Sequence, residues 1–289
     1  MNTTTADPTA STFALPQNVG LTVPTPPPFD DAVLEGAALN PLPGWMDVLR
    51  EQFASVGLAL RREGMVVGIC AAVFTAVVGW MRLQSSAANV PLSPAEGIAA
   101  AMMALLIPMA VWKGEDPAHR GYHHAMPVGH GEHAVARGAA GLAWTLAAVA
   151  AFFGWMGLLA GVTGGGVESV PAWQWAAPFA GATVLYLLGS ALTLATPRPW
   201  RWLGGAAVGY LFLGAFRAVD AARPLTDAVD AVVSGHYGLT TVITGLVRHT
   251  EYMGHPMMAD VGAWLTATIL WLATSVSLFL FAAYRQPER

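Results

Sequence analysis

Six apolar segments, with most of the charges confined to the stretches between them, constrain this chain more than any other feature. They run Met65 to Met81, Ala95 to Trp112, Gly138 to Gly161, Trp175 to Ala195, Trp202 to Phe216 (the shortest) and Val261 to Tyr284. Crossing the hydrocarbon layer takes about 20 apolar residues. Without water, such a segment must satisfy its own backbone hydrogen bonds, which a helix does. With 11% charged and 55% hydrophobic residues, the chain carries too little charge to coat a soluble globule, where about 25% is usual. The pattern predicts an all-α polytopic membrane protein with six transmembrane helices, an N-terminal interfacial helix and a re-entrant outer hairpin before the last span. Trp80, Trp112, Trp173, Trp175, Trp200, Trp202 and Tyr284 fall near the predicted span ends, where amphipathic rings sit at the headgroup level.

Composition excludes several classes. Disorder over most of the chain would require low hydrophobicity and high charge. The 14 basic and 18 acidic residues leave no basic footprint for nucleic acid. One cysteine, Cys70, rules out a disulfide framework or a cysteine-based metal site and reads as a small apolar filler. The only lysine, Lys113, stands between Trp112 and Gly114. A phosphate-binding loop needs Gly-Lys followed by Ser or Thr, so this chain has no nucleotide site of that type.

Three parts follow along the chain. Residues 1–43 are polar and rich in Pro and Thr, which predicts a disordered cytoplasmic tail. With the first basic residue at Arg50, no secretory signal is read there. Residues 44–62 predict an amphipathic helix: Trp45, Leu49, Phe53, Val56 and Leu60 recur every three or four positions. Placed just before a span, it is expected to lie in the membrane interface. Residues 63–289 form the six-span domain. Both termini are predicted to be cytoplasmic, because Arg50, Arg61, Arg62, Lys113, Arg120, Arg137, Arg198, Arg201, Arg285 and Arg289 then lie inside, against Arg82, Arg217, Arg223 and Arg248 outside.

Two connections exceed a turn: 113–137 inside and 217–260 outside. The outer one holds two apolar stretches, Leu225 to Val233 and Leu239 to Val247, broken at Ser234-Gly235. Both are too short to span, so a re-entrant hairpin is expected, with Ser234, Gly235 and His236 as an outer gate. An outer domain resting on the membrane is the alternative. Pro108 and Pro178 are expected to kink their helices. Gly205 and Gly209 have the spacing of a close helix–helix seam.

Catalytic and metal chemistry are weakly represented. Five of the eight histidines lie in the inner connection, His119, His123, His124, His130 and His133, and pairs three or four apart can share a helix face and a metal. Pro127 and Gly129 interrupt that stretch, and no metal site is assigned. The methionines Met102, Met103, Met109, Met126, Met253, Met257 and Met258 read as packing residues. Apart from Glu96 at the first turn of the second, the predicted spans hold no acid or base in their interiors, which argues against a proton relay or charged filter. No catalytic set is apparent.

The order of elements resembles the permease subunits of ABC-2 type (type V) ABC transporters. The resemblance covers most of the chain from Trp45 onward. It is strengthened over about 25 residues by the inner connection: Trp112-Lys113-Gly114-Glu115-Asp116-Pro117, then Arg120-Gly121-Tyr122-His123-His124-Ala125-Met126-Pro127-Val128. In that family an Arg/Tyr stretch leading into Met-Pro-Val forms the coupling helix that docks on the ATPase. The resemblance implies that Glu115, Asp116, Arg120, Tyr122, His123, Met126, Pro127 and Val128 contact a separate ABC ATPase subunit. That subunit would hold the ATP and Mg; this chain would hold no cofactor. It further implies a bacterial-type inner membrane, surrounding membrane lipids, and a second permease copy or homologous permease. Export of a hydrophobic or amphipathic substrate by alternating access follows. Two other readings remain: an accessory subunit of a larger respiratory or photosynthetic complex, and a metal-handling membrane protein using the histidine loop.

Overall fold

The computed structural model describes residues 44–84, 90–113, 129–216, 222–248, 256–258 and 260–285. Its described residues are helical apart from short connections and one small ladder. The helices are α1 (Trp45–Gln84), α2 (Gly97–Met103), α3 (Ile107–Val111), α4 (His130–Thr163), α5 (Ala172–Ala195), α6 (Pro199–Phe216), α7 (Arg223–Ser234), α8 (Leu239–Thr244) and α9 (Val261–Arg285). A 3-10 turn, Pro94–Glu96, leads into α2. Two strands, β1 (Leu246–Arg248) and β2 (Pro256–Met258), pair antiparallel between α8 and α9.

Five stretches are long and apolar enough to cross a membrane: Trp45–Gln84, Pro94–Val111, Gly131–Thr163, Ala172–Ala195 and Val261–Arg285. The chain is a multi-pass helical membrane protein on that basis. The fifth expected span, Trp202 to Phe216, does form a helix, α6. It is not among those five, because Arg201, two tryptophans and several glycines dilute its hydropathy. Nearly all its described side chains are exposed, and open space lies beside Gly204, Gly205 and Gly209.

The interfacial helix and first span are not separate elements. Nothing between Arg62 and Met65 stops a helix except one glycine, and α1 runs unbroken for 40 residues. At 1.5 Å per residue that is about 60 Å, roughly twice the hydrocarbon thickness. Its charged N-terminal half therefore extends beyond the layer or lies along its edge. The inward face of that half is Val48, Gln52 and Val56, with Leu49 and Leu60 half-buried. Trp45 and Phe53, expected on the same stripe, are 47% and 43% exposed.

The second span is discontinuous. Ala104 to Leu106 form a turn between α2 and α3, because Pro108 near the start of α3 has no N–H to offer the preceding turn. Helix α5 is the centre of the bundle, with more of its length buried than any other span. Lipid is as apolar as leucine, so its burial reflects close packing more than hydrophobic transfer. Glycines provide the close approaches: Gly189 faces the Leu105 carbonyl, Gly181 faces Ile243, and Gly138 on α4 faces Phe279.

Helix directions follow from paired contacts. Helices α1 and α4 run parallel, since Phe53 stacks on Trp144 and Val78 packs with Met156 and Leu159. Helices α5 and α9 run parallel to each other, with Trp173 against Trp264 at 5.4 Å. Helix α9 opposes α4, with Phe279 over Gly138 and Tyr284 over Gly131. The end of α3, the start of α4 and the end of α9 thus share one end of the bundle. At the other end, Leu92 bonds Gly166 and Glu168 across the two connections, each at 2.9 Å.

Candidate functional site: the base of the connection between α3 and α4

The last turn of any helix leaves carbonyl oxygens without partners. At the end of α3 the Val111 carbonyl is one of these. Arg137, two turns into α4, occupies it: Nη2 donates at 2.7 Å and Nε at 3.1 Å. A cation is well placed there, because the helix dipole is negative at its C-terminal end. The same guanidinium donates through Nη1 to the Gln52 side-chain oxygen on α1 at 3.4 Å. Its carbon lies 5.9 Å from the centre of the buried Trp112 ring. One side chain thus joins α1, α3 and α4, and it joins the two sides of the connection between α3 and α4 to each other.

A second tie lies less than two turns along. The Trp144 indole N–H donates to the Phe53 carbonyl at 3.0 Å while its ring stacks on Phe53 at 5.0 Å. Gly57 leaves the space for that ring: a β-carbon there would come within 2.8 Å of it. On α5, Tyr186 is wholly buried against Gly141, which has no room for a side chain beneath the phenol oxygen. Ser190, one turn on, is also fully buried.

The predicted coupling residues Glu115, Asp116, Arg120, Tyr122, His123, Met126, Pro127 and Val128 lie outside the described residues. So do His119 and His124. Among the described residues no three His, Cys, Asp or Glu side chains come together as a metal site. Of the helix-face residues, Val56 is buried and Phe53 contributes its carbonyl and ring to the junction. The sequence did not point to Arg137 or Gln52 as junction residues. The available signal was an arginine two turns into a helix and directly before its long apolar run, but its main acceptor is a backbone carbonyl, which no side-chain pattern marks.

The expected gate, Ser234, Gly235 and His236, forms the turn between α7 and α8. The turn is pinned from within: Thr240 Oγ1 donates to the Val233 carbonyl, and Thr241 Oγ1 to the Gly235 carbonyl at 3.1 Å. Trp271 of α9 donates its indole N–H to the Tyr237 carbonyl at 3.0 Å. Thr241, Val242 and Ile243 of α8 are buried, in packing against α5 and α9. Comparison with known protein families, curated proteins and solved structures returns no significant match.

Proposed function

We propose that this chain is the membrane permease of an ATP-driven exporter of the ABC-2 type. The observation that carries the reading is the Arg137 junction. A connection that receives force from an ATPase must pass it to the spans, and here its two ends are held to each other and to the N-terminal half of α1. Two permeases pair, and two ATPase subunits with ATP and Mg close beneath them. The inner connection, residues 113–137, is pushed by that closure. Because Arg137 links Val111, Gln52 and its own helix, α1, α3 and α4 move as a group. The cavity between paired subunits then switches from inside-open to outside-open.

On this reading α6 is the fifth of six spans, its uncovered Gly205-to-Gly209 face meeting another helix of the assembly. Helices α7 and α8 form the re-entrant outer hairpin, both termini are cytoplasmic, and the membrane is a bacterial-type inner membrane. The substrate is hydrophobic or amphipathic, in keeping with spans that lack charge. The reading is tested by reconstituting the chain with its ATPase in sealed vesicles and following movement of an amphipathic dye. ATP- and Mg-dependent movement is expected. Movement equal with and without ATP overturns it.

A further inference from the structure

The hairpin turn sits deeper than an outer loop would. Its Tyr237 carbonyl is bonded by Trp271, ten residues into the 25-residue α9, or about 15 Å along a helix some 37 Å long. Leu239, just past the turn, packs against the buried cluster of Val184, Val242 and Ala267, as do Leu188, Trp271 and Leu272, and Val184 sits at the middle of α5. From there α8 climbs back, and Gly245, with φ of +67°, ends it against Trp173 at the outer end of α5. The turn therefore lies near the level where the spans are half crossed.

One side of the turn is covered and the other is not. Gly238 is buried, while His236 and Tyr237 are exposed, their rings edge to face at 4.7 Å. Helix α7, which leads down to the turn, buries only Thr226 and exposes Asp227. Backbone at Gly235 to Gly238 is non-helical. Lipid cannot hydrogen-bond such backbone, and an imidazole at that depth is costly in hydrocarbon. Among the described residues nothing covers that side.

We propose that this exposed side faces water within the membrane: it walls a vestibule open to the outer side, and His236 is the polar side chain at its floor. The vestibule is a place for the polar, hydrogen-bonding part of an amphipathic solute, which meets the imidazole while its apolar part stays against the spans. That assignment of a solute rests on the exporter reading; the presence of water does not.

The test is thiol labelling in intact cells. Cys70, the only native cysteine, is replaced by serine, and single cysteines are introduced as His236→Cys, Tyr237→Cys and Leu270→Cys. Leu270 lies beside Trp271 at the same depth and is 55% exposed. Thiols react as thiolates, which form in water and not in hydrocarbon. A membrane-impermeant methanethiosulfonate added outside should label His236→Cys and Tyr237→Cys at least about tenfold faster than Leu270→Cys. Equal rates at all three positions overturn the proposal. So does labelling only from the inner side of everted vesicles, or a 236–236 disulfide between copies in place of labelling. If one variant fails to reach the membrane, the neighbouring position carries the test. No ATPase is needed, so failure of the exporter reading and failure of the vestibule are seen separately.

Discussion

Arg137 and Val111 are 26 positions apart, yet the guanidinium reaches the carbonyl at 2.7 Å. The connection between α3 and α4 is thereby closed at its base, and Gln52 brings the long first helix into the same contact. On the proposed reading, force applied to that connection acts on three helices.

Replacing Arg137 should expose how much of the coupling passes through this point. A charge-assisted hydrogen bond contributes about 1.5–3 kcal/mol, so Arg137→Ala should lower the unfolding midpoint in detergent. It should also leave ATP hydrolysis running in the reconstituted complex while transport falls. Arg137→Lys keeps the charge but cannot fork between Val111 and Gln52, and should fall between the two. Equal transport per ATP in all three proteins would argue against the junction.

The residues of the connection itself should behave differently. Tyr122→Ala or Arg120→Ala is expected to uncouple ATP hydrolysis from transport and leave assembly intact. Co-purification with the ATPase and paired hydrolysis and transport rates check this. Unchanged transport in both variants would remove these residues from the coupling role.

Gly141 and Tyr186 form a tight pair. A β-carbon at 141 would overlap the phenol oxygen and come within 2.9 Å of the ring carbon that bears it. Overpacking of this kind costs about 1–3 kcal/mol, so Gly141→Ala should lower thermal stability. Tyr186→Phe removes the oxygen and should recover part of the loss when combined with it. A double-mutant cycle on the unfolding midpoint measures the recovery, and strictly additive effects would show that the two do not touch.

Gly205 and Gly209 have the opposite surroundings, with no atom within 4 Å of an added β-carbon. Gly205→Leu with Gly209→Leu should therefore leave the single chain folded and stable but weaken its pairing. Native mass spectrometry in mild detergent should report monomer where the parent gives dimer. Retained dimer would place the pairing surface elsewhere.

Apolar run length made five of the spans legible, because a membrane helix must declare itself residue by residue along its own sequence. Pro108 declared the break in the second span for the same local reason. The merging of the first two elements was not legible. Amphipathic and apolar halves differ in composition, but Gly64 alone does not end a helix. The face of α1 was read one position off because Gln52, a polar residue, sits where a periodicity rule looks for apolar ones. Its burial depends on Arg137, 85 positions away. The hairpin's two helices followed from its apolar stretches. Its end at Gly245 and the ladder of β1 with β2 did not, since strand pairing depends on a segment ten residues further on. Apart from the Gln52 side chain, the acceptors that build the junction are backbone carbonyls of distant helices, which is why composition and spacing alone missed them.

The measurement closest to the central claim is a mild-detergent purification of the tagged chain, expressed with its chromosomal neighbours, followed by mass spectrometry and an ATPase assay. The account predicts a stoichiometric ATPase subunit and vanadate-sensitive ATP hydrolysis in the eluate. A partner set without any ATPase, or one carrying haem or pigment, would contradict it and make this chain an accessory subunit of a larger membrane complex.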